Sequence, residues 1–312
     1  MARFEPAGLA GNRAVGLELI GILAALGSAA TWAVGALLLK PFAEQLPAMG
    51  LAFAKGIFGL LLLGTCILLV GREPIGAPVF WVLFLSGVLG IGVADTLFFK
   101  ALRELSSHSV VQLMLLGQVA TIGMAVVFLG EVLVWQEWSG VALVIAGVAV
   151  VLTGPGEEGD GRATRRGILF GLVSVMSMAA SVTMAKGVLD DVDALTATFL
   201  RIAGGVVSLF LFAPVFYLGR GNWISPLLSD WRLALRFCAI ATFVTFGGFF
   251  LSLLAMKLTP LAIANTLLST EPLFVLLIMA ILYRERPDSR RLLGSLIGVL
   301  GVGLISAKSI LT

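Results

Sequence analysis

Apolar runs long enough to cross a bilayer follow one another along nearly the whole of this 312-residue chain. A transmembrane helix needs about 20 mostly apolar residues, and ten such segments can be marked: 17–39, 48–70, 79–102, 107–129, 136–153, 167–188, 194–218, 232–256, 261–282 and 289–308. Glycine, proline and charge punctuate the short connections, as in GREPIGAP after the second and ERPDSRR after the ninth. Hydrocarbon offers no partner to a backbone amide, so each crossing must satisfy its own hydrogen bonds. The expected fold is therefore an all-α membrane protein of ten transmembrane helices, integral and multi-pass. With 59% hydrophobic and 12% charged residues, the chain has too little polar surface for a soluble protein of this length.

The chain also repeats itself. LSSHSVVQLMLLGQVATIGMAVVFLGEVLVWQEWSGVALVIAGVAVVL at 105–152 is echoed by LTPLAIANTLLSTEPLFVLLIMAILYRERPDSRRLLGSLIGVLGVGLIS at 258–306. With one inserted residue, Glu131 falls on Glu285, Gly140 on Gly294 and Gly147 on Gly301. The longest polar stretch, TGPGEEGDGRATRR, lies between the copies. This sets expected repeats at 17–153 and 167–308 with a linker at 154–166. GILAALGSAATWAVGA in the first segment has its counterpart in GLVSVMSMAASVTMAK, which argues for a retained helix over a cleaved leader. Five crossings per repeat is an odd number, so the second repeat is expected to enter the bilayer inverted. Inverted halves can rock about a shared central site, which points towards transport.

Net charge is +3, with basic residues scattered in short loops, so no nucleic-acid partner is expected. The loops after segments 1, 3, 5, 7 and 9 hold the larger share, including Lys40, Arg103 and Arg284. By the positive-inside rule both termini would lie outside the cytoplasm. A single histidine, His108, provides no metal set or triad, and Cys66 and Cys238 sit in apolar runs as small core residues. No HExxH, GxSxG or Walker motif occurs, so neither an enzyme nor a cofactor is expected.

A charge at mid-membrane costs about 2.5–3.5 kcal/mol on insertion scales, so it is kept where a cavity or a partner receives it. Lys55 and Arg201 each lie about 10 Å into their helices, from opposite faces if the repeats are inverted. They would place one cation beneath each mouth of a central cavity; snorkelling or packing is the alternative. Arg201 could grip a carboxylate with two parallel bonds, whereas Lys55 is a point charge. Glu271, central in the ninth helix, suits reversible protonation or an inter-helix bond. Pro272 beside it would free backbone carbonyls towards the cavity. Asp95 is expected either at the solute or in a structural pair with Lys55 or Lys100. Gln112 falls on Asn265 in the repeat register, and together with Gln118 these amides could line a cavity or join helices. Gly294 and Gly298 form a GxxxG suited to close packing within the chain or in a homodimer.

Several strings acquire meaning in combination: Thr31, Trp32 and Gly35 in the first helix, FAK at Lys55, DTLFFKALREL at 95–105 and LGE at 129–131. The second half adds FLR at Arg201, TEPLF at 270–274 and Arg284–Glu285–Arg286. In order and spacing they resemble the EamA-type transporters of the drug/metabolite transporter superfamily. That resemblance implies a ten-helix carrier exporting amino acids, other metabolites or drugs across the cytoplasmic membrane of a bacterium. Gln118 stands where a proline is common in the family, while Pro272 is kept. The first helix offers only Glu18, at its start, so the membrane glutamate of the small four-helix relatives has no counterpart here. The expected function is a secondary carrier of small organic solutes, coupled to protons or to exchange. A flippase for lipid-linked substrates and a structural bundle are the alternatives, with membrane lipids as partners in every case.

Overall fold

The computed structural model describes residues 7–45, 48–71, 74–105, 107–152, 164–217, 229–282 and 289–311. Every regular element among them is helical. They follow as α1 (Ala7–Gln45), α2 (Ala48–Val70), α3 (77–104), α4 (Ser107–Leu129), α5 (Trp135–Leu152), α6 (Arg165–Lys186), α7 (Ala194–Tyr217), α8 (231–258), α9 (261–282) and α10 (Ser289–Leu311). Beyond α1, helix ends fall within three residues of the apolar spans marked in the sequence. Most of the linker, 154–163, lies outside the described residues. Seven of the described helices are long and apolar enough to cross a membrane, and three shorter apolar runs are Leu116–Leu129, Trp135–Val150 and Leu292–Ile305.

Local chemistry explains where these helices start and stop. Pro78 sits in the first turn of α3, where its missing N–H costs nothing. The Thr164 hydroxyl accepts from the Gly167 amide at 2.9 Å to open α6, and Asp230 accepts from the amides of Arg232 and Leu233 to open α8. Glu137 reaches back to accept the Val134 amide at 2.7 Å at the start of α5. After α2 and α4 the chain turns through Gly71 and Gly130, at φ +83° and +66°, a left-handed region that glycine enters freely.

Large apolar residues cover much of the outside, and small residues fill the buried face of α1. Leu68 is 86% exposed and Phe128 74%, whereas Ala25, Ala29, Ala33 and Ser28 are fully buried. Lipid tails are as apolar as leucine, so helices here associate through close packing and hydroxyl–carbonyl bonds.

Repeat-equivalent helices meet each other. On the α5–α10 contact Gly140 lies against Gly301 and Ile305, while Gly147, two turns on, lies against Gly294 and Gly298. On the α2–α7 contact Gly56 faces Val206 and Gly64 faces Phe199. In both pairs the numbers run in opposite directions, so each helix is antiparallel to its own counterpart. The remaining contacts exchange in the same way: α1 packs on α8 and α9, as α6 packs on α3 and α4. The glycines marked for close packing are thus used within the chain, where α5 and α10 touch backbone to backbone.

The third helix of each repeat widens at the same place. Val88–Ala94 in α3 and Val244–Phe250 in α8 are seven-residue π-helical turns. A π turn leaves carbonyls off the regular ladder, where neighbouring hydroxyls can take them. Ser174 Oγ donates to the Ala94 carbonyl at 2.8 Å and Ser28 Oγ to the Gly248 carbonyl at 2.8 Å.

A Cβ at Gly147 would stand 2.5 Å from Gly298 N and 2.6 Å from Gly294 O, both backbone atoms that cannot swing aside. Gly147→Val should therefore lower stability by about 1–3 kcal/mol or more, read as a reduced melting temperature in detergent. Gly123→Ala, whose Cβ meets nothing within 4 Å, should melt no lower than the parent.

Candidate functional site

The two π turns and the α2–α7 contact frame a small cavity. Its walls are Ala52, Lys55 and Gly56 from α2, Ile91 and Asp95 from α3, Ile202, Val206 and Leu209 from α7, and Thr245 and Phe249 from α8. These four helices form one set under exchange of the repeats, so the cavity lies where the halves meet. Its volume is about 20 Å³, room for a single water.

Lys55 and Asp95, expected separately from the sequence, line this one cavity, and the Asp95 carboxylate attracts the Lys55 ammonium. The ammonium also sits 5.2 Å from the Trp32 ring centroid and 5.0 Å from that of Phe249. Those rings meet edge to face at 4.9 Å and 80°. Asp95 stands just after the π turn, so the wider turn fixes the direction in which its helix presents the carboxylate. Lys100 goes elsewhere, over the Phe170 ring at 5.5 Å.

Arg201 does not join them. It is the eighth residue of α7, as Lys55 is of α2, yet it is buried and donates from Nη2 to Ser181 Oγ at 3.1 Å. Ser181 Oγ in turn donates to the Ser86 carbonyl at 2.6 Å. Gly90 lets Ser181 come this near, since a Cβ there would meet its hydroxyl at 2.4 Å. Of Lys55, Arg201 and Glu271, only Lys55 lines this cavity.

Glu271 opens the second half of a broken α9, because Leu261–Leu268 ends at Ser269–Thr270 and Glu271–Leu282 begins afresh. Pro272 then occupies a helix's first turn instead of kinking its middle, and the acidic side chain is placed favourably at a helix N-terminus. Hydroxyls at the break add to the backbone bonds that its carbonyls already accept. Ser269 Oγ takes the Asn265 carbonyl and Thr270 Oγ1 the Leu267 carbonyl, each at 2.7 Å. Asn265 Nδ2 donates to the Gln118 main-chain carbonyl at 3.3 Å, joining α9 to α4. Gln118 Oε1 and Thr96 Oγ1 are buried with no hydrogen-bond partner among the described residues. The side chain of Gln112 lies outside the described residues, as do Arg284, Glu285 and Arg286.

One polar cluster was missed in the sequence. Glu131 reaches from the end of α4 to the start of α9, where its carboxylate accepts from the amides of Leu261 and Ala262, the second at 2.9 Å. Lys186 Nζ donates to the carbonyls of Met256 and Thr259, at 2.6 and 3.1 Å. Lys257 Nζ donates to those of Leu189 and Val192, at 2.6 and 2.7 Å. Acid meets a helix N-terminus and amines meet terminal carbonyls, both favoured by the helix dipole. Lys186 thereby closes the end of α8. The recurrence of Glu131 at Glu285 was the available signal.

A second, larger space of about 360 Å³ opens between α1, α9 and α10 and is lined by Leu26, Leu273, Phe274, Leu277, Val299 and Val302 among others. Leu277 and Val299 are exposed on its rim, so it faces the lipid side of the bundle.

Antiparallel equivalent helices, an apolar exterior and charge held at the repeat junction describe an integral, multi-pass membrane protein of duplicated helical design. The chain belongs to the EamA-like transporter family, whose profile matches residues 19–153 and 165–307, and so to the drug/metabolite transporter superfamily. It is accordingly a membrane transporter by family. Among solved structures 29 chains match. One, described as "Crystal structure of protein", superposes with a TM-score of 0.68 over 94% of this chain and 97% of that one, at 15% identity. That likeness establishes the fold. No curated protein matches.

Glu131→Ala should destabilise the protein by about 1–2 kcal/mol, as loss of a charged helix cap does elsewhere. Glu131→Gln, which keeps an acceptor, should lose roughly half as much. Thermal unfolding in detergent reads both; a parent-like melt for Glu131→Ala would remove the cap from the stability of the bundle.

Proposed function

We propose that this transporter is a secondary carrier that exports small organic solutes by alternating access. In this reading the repeats, 17–153 and 167–308 joined by 154–166, cross the cytoplasmic membrane of a bacterium ten times in inverted orientation. The observation that carries the proposal is the placement of Lys55 and Asp95 on one cavity at the junction of the halves. Two opposite charges kept inside a membrane bundle are costly unless they serve a pathway or a solute. Antiparallel pairing of α2 with α7 and of α5 with α10 supports rocking, because each pair offers a contact that both states can share. Thr96 Oγ1 and Gln118 Oε1, buried and unpartnered among the described residues, add polar atoms that a solute or water would satisfy. Asn265 extends that polar lining along α9, and Gln112 is placed with it by the repeat register. Glu271 is the proton-coupling carboxyl, at the break of α9 with its acid group at a helix start. Arg201 holds an anionic group of the solute in the state that opens its side of the bundle.

The crevice between α1, α9 and α10 favours one other reading, a flippase whose lipid-linked substrate enters sideways. Vesicles reconstituted with the purified protein separate the two. A carrier moves amino acids or amphipathic cations in response to a proton gradient; a flippase moves labelled lipid and leaves the solutes where they are. Solute flux equal to that of protein-free vesicles would end the carrier proposal.

Two variants test the assigned parts. Glu271→Gln should abolish the response to a pH gradient while exchange of solute for solute persists; an unchanged pH profile removes Glu271 from coupling. Arg201→Ala should raise the half-saturating solute concentration about tenfold or more, as loss of a charge-assisted bond does. A drop in folded yield with unchanged affinity would make Arg201 a packing residue.

A further inference from the structure

The surroundings of the Lys55 ammonium match what proteins use to recognise an organic ammonium ion. Its nitrogen lies 5.2 Å from the Trp32 ring centroid and 5.0 Å from that of Phe249, both inside the range of about 6 Å for cation–π attraction. Asp95 supplies the opposite charge from across the cavity. None of the three receiving groups shares a helix with Lys55: Trp32 is on α1, Asp95 on α3 and Phe249 on α8. The edge-to-face contact of Trp32 with Phe249 and the packing of Gly248 against the Trp32 ring, at 3.0 Å from a built Cβ, hold the rings in place without the lysine. Lys55 reaches them on a flexible four-carbon stem that can fold back along α2.

We propose that Trp32, Phe249 and Asp95 form a receptor for the ammonium group of the carried solute, and that the Lys55 side chain occupies it when no solute is bound. The proposal rests on the carrier reading and narrows its substrate class to solutes bearing a small primary ammonium group. Solute and lysine exchange at one place, so Asp95 is never left as an unpaired charge in the bilayer, a state that would cost several kcal/mol. An empty carrier can then reset. The cavity of about 20 Å³ beside Lys55 gives the incoming nitrogen a first foothold, with Thr245 on the same wall. Solutes without a cationic nitrogen, such as sugars or dicarboxylates, would leave the lysine seated and would not be carried.

Chemical replacement of the lysine tail tests this. Lys55→Ala keeps Cβ and deletes the atoms that propylammonium supplies. Purified Lys55→Ala should be stabilised against heat by propylammonium at concentrations at least tenfold below those that affect the parent. The neutral analogue 1-propanol should have no such effect, and adding Asp95→Asn should abolish the response. If Lys55→Ala does not fold alone, purification in propylammonium should recover monodisperse protein, and 1-propanol should fail to do so. Equal responses of parent and variant, protection by 1-propanol, or no recovery in either additive would overturn the receptor. Lys55→Met, which fills the space without the charge, should fold and ignore propylammonium; a response there would place the amine elsewhere. Amine binding by Lys55→Ala without solute flux in vesicles would sink the carrier and keep the receptor. Flux with no amine binding would do the reverse.

Discussion

Backbone-to-backbone approach between helices is the constraint on which the rest of this molecule depends. Inside hydrocarbon there is no water to expel, so the hydrophobic effect that assembles soluble helices is missing. What remains is contact, and contact is closest where side chains are smallest. At Gly87 a Cβ would come within 1.9 Å of the Arg201 carbonyl, and at Gly204 within 2.0 Å of the Phe84 carbonyl. Those two glycines bring α3 of the first repeat onto α7 of the second, and the same crossing sets Asp95 and the α7 wall around one cavity. Had either position carried even a methyl group, the halves would stand apart and the charges would meet nothing.

Near-twofold construction also makes the departures from symmetry informative. Lys55 and Arg201 hold the same place in equivalent helices and face different chemistry. One has two aromatic rings and a carboxylate; the other has a serine hydroxyl in a tightly packed crossing. In the register that sets Gln112 on Asn265, Gln118 falls on Glu271. A neutral amide thus answers a titratable acid across the pseudo-axis. The packing of the equivalent helices is near-symmetric, while the chemistry of the charged and amide positions is not. The two reside in different residues: glycines and hydroxyls in the first, four ionisable or amide side chains in the second.

Much of the fold could be read from the sequence because hydrocarbon thickness fixes the length of each apolar run. The ends of α2, α4 and α9 agree with the marked spans to the residue. Inversion followed from counting to an odd number, and the opposed numbering of Gly140 and Gly147 against Gly301 and Gly294 agrees with it. The site was harder to read. Cost of burial singled out Lys55, Asp95, Arg201 and Glu271, but depth along a helix says nothing of azimuth. Arg201 shares the depth of Lys55 and lies in the crossing where Gly87 and Gly204 bring α3 onto α7. Pro272 was expected to free carbonyls within one continuous α9; the break lies just before it, at Ser269 and Thr270, whose hydroxyls bond carbonyls that no sequence pattern announces.

The polar cluster around Glu131 ties these levels together. Its carboxylate holds the first turn of α9, the helix whose break places Glu271, and the hydroxyls at that break fix the geometry of the second half. Lys186 and Lys257 knit the adjoining ends of α6 and α8, and α8 carries Phe249. Two elements, α8 with Phe249 and α9 with Glu271, are therefore anchored at one end of the bundle by charge-to-backbone bonds. The backbone groups in these bonds belong to buried residues, among them Leu189, Met256 and Leu261, and the glycine crossings cannot loosen without opening voids.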